Sequence, residues 1–188
     1  LPEVLFGATP NKAVLYEVIR AYQLNQRQGT ASAKTRAMMK RSGRKLYRQK
    51  GTGNARPGDR YTPVRVGGGI WGGPVPKNFQ LQIPAKKRRK ALISALSGKA
   101  ESTKVFEQMS LEQPKSKQIR QFLNTSEMAE NRVLFIIDDY DKNFYLSARN
   151  LPKVQVVPVG ELNAYAVANA RFVLVTESAI EKMEEVLS

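Results

Sequence analysis

The chain has 188 residues, of which 41% are hydrophobic, so it can form one medium-sized domain or two very small ones with a real core. Its 31 Lys and Arg against 16 Asp and Glu give a formal net charge of +15, which indicates a polyanionic partner. It contains no Cys and no His, which excludes disulfides, thiolate or imidazole metal sites, and Ser-His-Asp or Cys-His catalytic centres.

The absence of Cys indicates a reducing compartment, and we expect no metal and no cofactor. No apolar run approaches the roughly 18 residues of a membrane-spanning helix, and no signal-peptide pattern opens the chain, so no membrane partner is expected. Because the chain begins at Leu1 rather than Met, we expect a longer natural N-terminus.

The first predicted helix is NKAVLYEVIRAYQLNQ, for which Asn11 is a suitable N-cap. Its apolar residues recur at helical spacing, namely Val14, Leu15, Val18, Ile19 and Tyr22. This periodicity predicts a helix that packs on a core.

A cationic, glycine-rich segment follows this helix. Residues 27–90 carry 18 of the 31 cations and one acid, Asp59, whereas the other residues carry 13 cations and 15 acids. Ten of the 13 glycines lie between Gly29 and Gly73, and stretches such as GRKLYRQKGTGNARPGD offer little apolar surface for a core. We therefore predict a globular domain from residues 1–26 and 84–188, and an extended loop over residues 27–83 that an external partner orders.

The cations of this loop are candidates for nucleic-acid phosphates, because each phosphate that is neutralised releases counterions. The first set is Lys34, Arg36, Lys40, Arg41, Arg44, Lys45, Arg48, Lys50 and Arg56. The alternative is a solvated surface, but such surfaces mix charges of both signs. The interleaved aromatics either pack locally or stack on unpaired RNA bases, and these are Tyr47, Tyr61, Trp71 and Phe79.

Two glycine-rich runs in the loop, KGTGNARPG and VGGGIWGGPVP, suggest a nucleotide-binding loop. Neither follows an apolar strand or ends in the Gly-Lys-Ser/Thr of a P-loop, which argues against mononucleotide binding.

The second half of the chain alternates helical and strand patterns. Helices are predicted for PAKKRRKALISALSGKA (from Pro84, with Leu92, Ile93 and Leu96 on one side), PKSKQIRQFLN (from Pro114), KNFYLSARN, ELNAYAVANA, and ESAIEKMEEVL with Ile180, Met183, Val186 and Leu187 inward. Strands are predicted for TKVFEQM, RVLFIIDD, KVQVVPV (ending at Pro158) and RFVLVT. This order predicts an α/β fold with a mostly parallel sheet covered by helices.

Three acids follow the strand RVLFIIDD, namely Asp138, Asp139 and Asp141. Acids at such strand ends can bind Mg²⁺, but a solvated loop with a helix cap is the favoured interpretation.

Several segments resemble the fourth protein of the bacterial large ribosomal subunit: RQGTASAKTRA, SGRKLYRQKGTGNARPGD, GGGIWGGPVPKNF, KKRRKALISALS and YLSARNLPKVQVVPVGELNAYAV. The resemblance covers residues 13–187. The chain departs from the usual family pattern at Asn54, where the family often has Arg, at GIWGGPVP in place of VVFGPKP, and at GDRYTP.

The resemblance implies a non-enzymatic structural protein of the large subunit, cytoplasmic with its ribosome (or in an organellar ribosome), whose extension is threaded into large-subunit rRNA and supports early assembly. It extends the rRNA-binding set to Arg27, Tyr47, Arg60, Arg65, Trp71, Lys77, Lys86, Lys87, Arg88, Arg89 and Lys90.

It also implies that the tip of the extension forms the constriction of the peptide exit tunnel with ribosomal protein number twenty-two, next to the place where macrolide antibiotics bind. By position the tip comprises Gln49, Lys50, Gly51, Thr52, Gly53 and Asn54.

Two other hypotheses remain open at this point. One is a free-standing RNA-binding regulator, since some family members repress their own operon. The other is a Mg²⁺-dependent enzyme that acts on nucleic acid through the three acids. The loop offers no second acid to complete such a site, because its single acid is Asp59.

Overall fold

The computed structural model describes residues 1–107 and 113–187. By its internal contacts the chain divides into two compact units, one formed by Leu1–Leu24 with Leu81–Ser188 and the other by Asn25–Gln80. We call the first the α/β unit and the second the cationic unit.

Seven α-helices occur in the described residues: α1 Glu3–Phe6, α2 Lys12–Asn25, α3 Ala85–Ser97, α4 Ser116–Thr125, α5 Lys142–Ala148, α6 Ala164–Asn169 and α7 Glu177–Leu187. Short 3-10 turns cover Arg36–Met38, Ala100–Ser102 and Val159–Glu161.

Side-chain caps explain where several helices begin. The Asn11 side chain accepts a hydrogen bond from the Val14 amide at 3.1 Å, so the predicted N-cap of α2 is confirmed. Asp141 and Asn163 cap α5 and α6 in the same way. Pro84 directly precedes α3.

The described part of the chain contains four strands: β1 Thr103–Val105, β2 Val133–Ile137, β3 Val154–Pro158 and β4 Phe172–Val175. They form one sheet in the order β1-β4-β2-β3, and every pairing is parallel. The predicted α/β fold with a mostly parallel sheet is therefore confirmed. Strand β2 lies inside the sheet with all five residues buried, as its continuous apolar run predicted.

Successive residues of β2 supply two cores on opposite faces of the sheet. Leu134 and Ile136 pack with residues of α1, α2, α3, α6 and α7. Val133, Phe135 and Ile137 pack with residues of α4 and α5. The period of two in a strand thus distributes one apolar run between two layers of helices.

Three predictions about these elements need correction. The helix predicted from Pro114 begins at Ser116, because Lys115 has an extended backbone (φ −137°, ψ 105°). Val186, predicted to point inward, is 52% exposed, because it lies at the edge of the helix face on which Ile180, Met183 and Leu187 pack against the core. The strand predicted for TKVFEQM is limited to Thr103–Val105, and its last two residues lie outside the described part of the chain.

Candidate nucleic-acid interface

The cationic unit has no apolar core. Among residues 25–80, all of which the structure describes, Gly69 is the one buried residue. The same residues carry 13 cations and one acid. Several large apolar side chains are exposed in this unit, namely Met38, Val64, Val66, Ile70, Trp71 and Val75. A segment that buries so little cannot offset its conformational entropy by apolar burial.

Backbone hydrogen bonds nevertheless pair an outgoing arm with a returning arm. They run from Lys77 N to Gly29 O, Ala33 N to Pro74 O, Ile70 N to Lys34 O, Gly69 N to Tyr61 O, and Leu46 N to Gly58 O, at 2.9–3.1 Å. The partners converge along the chain, so the unit is a long irregular hairpin. Among its described residues none forms a regular strand.

The hairpin reverses between Tyr47 and Ala55. The Tyr47 hydroxyl donates to the Ala55 carbonyl, and the Arg48 guanidinium donates to the Gly51 carbonyl at 3.1 Å. Gly51 and Gly53 have φ values of +79° and +67°, which favour glycine. The residues predicted as the tip, 49–54, thus lie in this reversal, with Lys50 exposed.

The single acid of the unit is held inside it. The Asp59 side chain is 15% exposed and lies 3.3 Å from an Arg36 guanidinium nitrogen of the opposite arm. The Thr62 hydroxyl donates to both a carboxylate oxygen and the backbone oxygen of Asp59, at 2.9 Å each. Asp59 therefore shapes the hairpin and presents little negative charge to a ligand.

The predicted cations of the cationic unit are all exposed, but several also hold the hairpin. Arg27 lies 4.0 Å from the centre of the Phe79 ring, with Lys77 at 5.2 Å. Arg65 donates to the Tyr47 hydroxyl at 3.1 Å.

Further along the outgoing arm, Lys45 donates to the Gln49 side chain at 2.6 Å.

The aromatic residues differ in their surroundings. Tyr47 and Phe79 take part in the contacts just described, and Tyr61 is half-buried. Trp71 is 89% exposed, so its ring faces are open to stacking.

A second cationic region lies in the α/β unit, where Lys86, Lys87, Arg88, Arg89 and Lys90 occupy the first residues of α3. All but Lys87 are exposed, and Lys87 forms an ion pair with Glu17 of α2.

The sequence did not single out Ser42, which lines a cavity with Arg41, Arg44, Lys45, Leu46 and Arg60. Nor did it single out Val64 and Val66, 91% and 101% exposed. The sequence does carry a signal for the two valines, because they are apolar residues close to glycines in a segment without a core. It carries none for the cavity, which depends on a pairing of the two arms that no periodicity shows.

The acids after β2 have structural contacts. Asp141 accepts hydrogen bonds from the Asn143 and Phe144 amides. Lys182 of α7 places its ammonium nitrogen 2.9 Å from an Asp138 oxygen and 2.7 Å from an Asp139 oxygen. The hydrogen bonds to Asp139 and Asp138 raise the pKa of Lys182. Within the described residues, no group of three or more Asp and Glu has the arrangement of a metal site.

The glycine-rich runs also lack the context of a nucleotide-binding loop, because residues 43–80, all described, contain neither strand nor helix. None of the helices in residues 1–107 and 113–187 is long and apolar enough to cross a membrane.

The parallel α/β unit and the coreless cationic hairpin define a class of basic proteins built to associate with a polyanion. The sequence matches the model of the ribosomal protein L4/L1 family over residues 1–186, and the chain belongs to this family. The resemblance described above is thereby confirmed: the chain is a ribosomal protein of the large subunit, and it associates with rRNA and other ribosomal proteins.

Proposed function

We propose that the cationic unit is the part of this ribosomal protein that penetrates large-subunit rRNA and that this contact supports early assembly of the subunit. The observation that carries the proposal is a hairpin of 56 residues, Asn25–Gln80, with one buried residue and 13 cations against one internally paired acid. Phosphate contacts would supply the stabilisation that a core supplies elsewhere.

We further propose that the reversal at residues 49–54 lies at the constriction of the peptide exit tunnel, beside ribosomal protein number twenty-two. The placement of Lys50 at the turn of the hairpin supports this assignment. The turn is the point where the two arms meet, and it lies furthest along the hairpin from the paired ends of the arms at Gly29 and Lys77. The α/β unit would then remain at the solvent side of the subunit, and the protein would reside in the cytoplasm with its ribosome.

A structural role without catalysis fits the acids after β2. Each of Asp138, Asp139 and Asp141 is engaged by Lys182 or by the start of α5. The function is therefore assigned to the cationic surfaces.

The test is retention of the protein on large subunits during sedimentation through a high-salt wash, for wild type and for a variant with residues 31–75 replaced by a short Gly/Ser linker. The linker joins the arms where Gly29 and Lys77 already pair. We expect wild type to remain bound and the variant to be lost. The variant must keep the helical circular dichroism of the α/β unit. Equal retention of both proteins would contradict the proposal.

A further inference from the structure

The cationic unit contains a cavity of about 560 Å³ between its two arms. The outgoing arm contributes Arg41, Ser42, Arg44, Lys45 and Leu46, and the returning arm contributes Arg60. The hydrogen bond from Leu46 N to Gly58 O, at 3.1 Å, brings the arms together at its edge.

The charge of this cavity is of one sign. Four of its six lining residues are Lys or Arg, and none is an acid. Asp59, adjacent to Arg60, is the one acid of the unit, and its carboxylate is instead held by Arg36 and Thr62. Cations gathered around an open cavity repel one another, so the arrangement is most favourable when anionic groups occupy it.

The Arg41 side chain reaches the returning arm. Gly67 has φ +72°, and a Cβ atom built on it would lie 2.7 Å from an Arg41 guanidinium nitrogen. The charge of Arg41 therefore lies beside the returning arm as well as on the outgoing one.

The cavity is wide and open, and its volume suits a group larger than a single ion. A water molecule occupies about 30 Å³ of liquid and small-molecule sites about 300–1,000 Å³, so the cavity accommodates a nucleotide-sized group rather than a single small ion. Arg donors can grip phosphate oxygens in pairs.

We propose that this cavity is a discrete binding site for consecutive phosphates of one RNA strand, and that it anchors the hairpin to rRNA below its tip. The inference rests on the proposed function and deepens it, because it separates one anchoring site from the diffuse charge of the other cations.

The test measures affinity for a large-subunit rRNA transcript and its salt dependence. The Arg41→Gln/Arg60→Gln variant removes two cavity cations, and the Lys34→Gln/Lys40→Gln variant removes two exposed cations of the same unit outside the cavity. We expect the cavity variant to lose about 10- to 100-fold in affinity and about 2 from the slope of log K against log salt. Lys34 and Lys40 also belong to the proposed rRNA-binding set, so the matched variant should weaken binding too, but at least about threefold less than the cavity variant.

The outcomes separate the two proposals. If wild type binds rRNA and both variants weaken binding equally, the proposed function stands and the cavity is merely part of a diffuse surface. If wild type does not prefer rRNA over an unrelated RNA of equal length, the proposed function and the cavity proposal are both contradicted. Calorimetry with inorganic tripolyphosphate distinguishes the phosphate source: a cavity variant that loses tripolyphosphate binding but retains rRNA binding would assign the cavity to a free ligand.

Discussion

Asp59 is the one acid of the cationic unit, which also carries 13 cations. A carboxylate there repels the phosphates that the unit is proposed to bind. Its contacts with Arg36 and Thr62 explain its presence, because they tie the two arms together. At the scale of the residue, the removal of the Asp59 charge therefore has two opposite effects on rRNA binding. The higher net charge favours binding, whereas the loss of the contacts that shape the hairpin disfavours it.

Asp59→Asn should weaken rRNA binding by about two- to fivefold, although it raises the net charge by one, because an ion pair of this exposure stabilises its geometry by about 0–1 kcal/mol. The comparison is Glu181→Gln, which makes the same charge change on an exposed residue of α7 and should leave affinity the same or slightly higher. Tighter binding by Asp59→Asn would show that charge, and not the shape of the hairpin, governs affinity.

Among the helices, α3 carries its charges at the unfavourable end. Lys86 and Lys87 lie in its first turn, where the helix dipole is positive and cations are destabilising by about 0.3–1 kcal/mol each. These charges therefore destabilise the helix in the free protein, whereas a bound phosphate backbone would neutralise them and remove the destabilisation.

Lys86→Glu should therefore stabilise the free protein by about 0.5–1 kcal/mol more than Lys90→Glu, which lies beyond the first turn of the same helix. Both variants should bind rRNA more weakly than wild type. Thermal unfolding and rRNA affinity are the measurements. If the two variants have equal melting temperatures, the dipole does not explain the placement of charge in α3.

Another contact between elements connects the end of β2 to α7 through Lys182. Its folded-state pKa is raised above the usual value, so the ion pairs are complete below about pH 10.4, the ordinary pKa of Lys. Their stabilisation is lost as the pH rises through the higher folded-state pKa.

The difference in melting temperature between wild type and Lys182→Gln should be constant from neutral pH to about pH 10 and then shrink. The exposed Lys117 of α4 provides the comparison, and for Lys117→Gln the difference should stay near zero throughout. A wild-type advantage that grows above pH 10 would contradict the sign of the pKa shift.

For the whole molecule, the α/β fold followed from local patterns. The run Val133–Ile137 is apolar at every position because it is buried on both faces, and Pro158 ends β3 because it lacks a donor for further pairing. The short helix α1 was not predicted, although Leu5 is fully buried, because four residues have too little periodicity. The cavity around Arg41 and Arg60 was missed for another reason: it requires the register of two arms that only long-range hydrogen bonds specify.

The reversal at residues 49–54 gives a prediction for the assembled subunit. Lys50→Glu should cost on the order of 1–3 kcal/mol locally, too little to detach a hairpin with 12 other cations. Subunits should assemble but bind macrolides with altered affinity, whereas Lys117→Glu should change neither assembly nor affinity. Wild-type macrolide affinity on purified Lys50→Glu ribosomes would place the reversal away from the tunnel.

The strand order has a consequence for synthesis of the chain. Because β4 lies between β1 and β2, the sheet stays open until Phe172–Val175 has left the ribosome, about 95 residues after the cationic unit ends. At about 5–20 residues per second, this delay lasts roughly 5–20 s. During that interval the nascent chain exposes the 13 cations of the cationic unit before its own domain can fold, so these cations are available to RNA before the core closes.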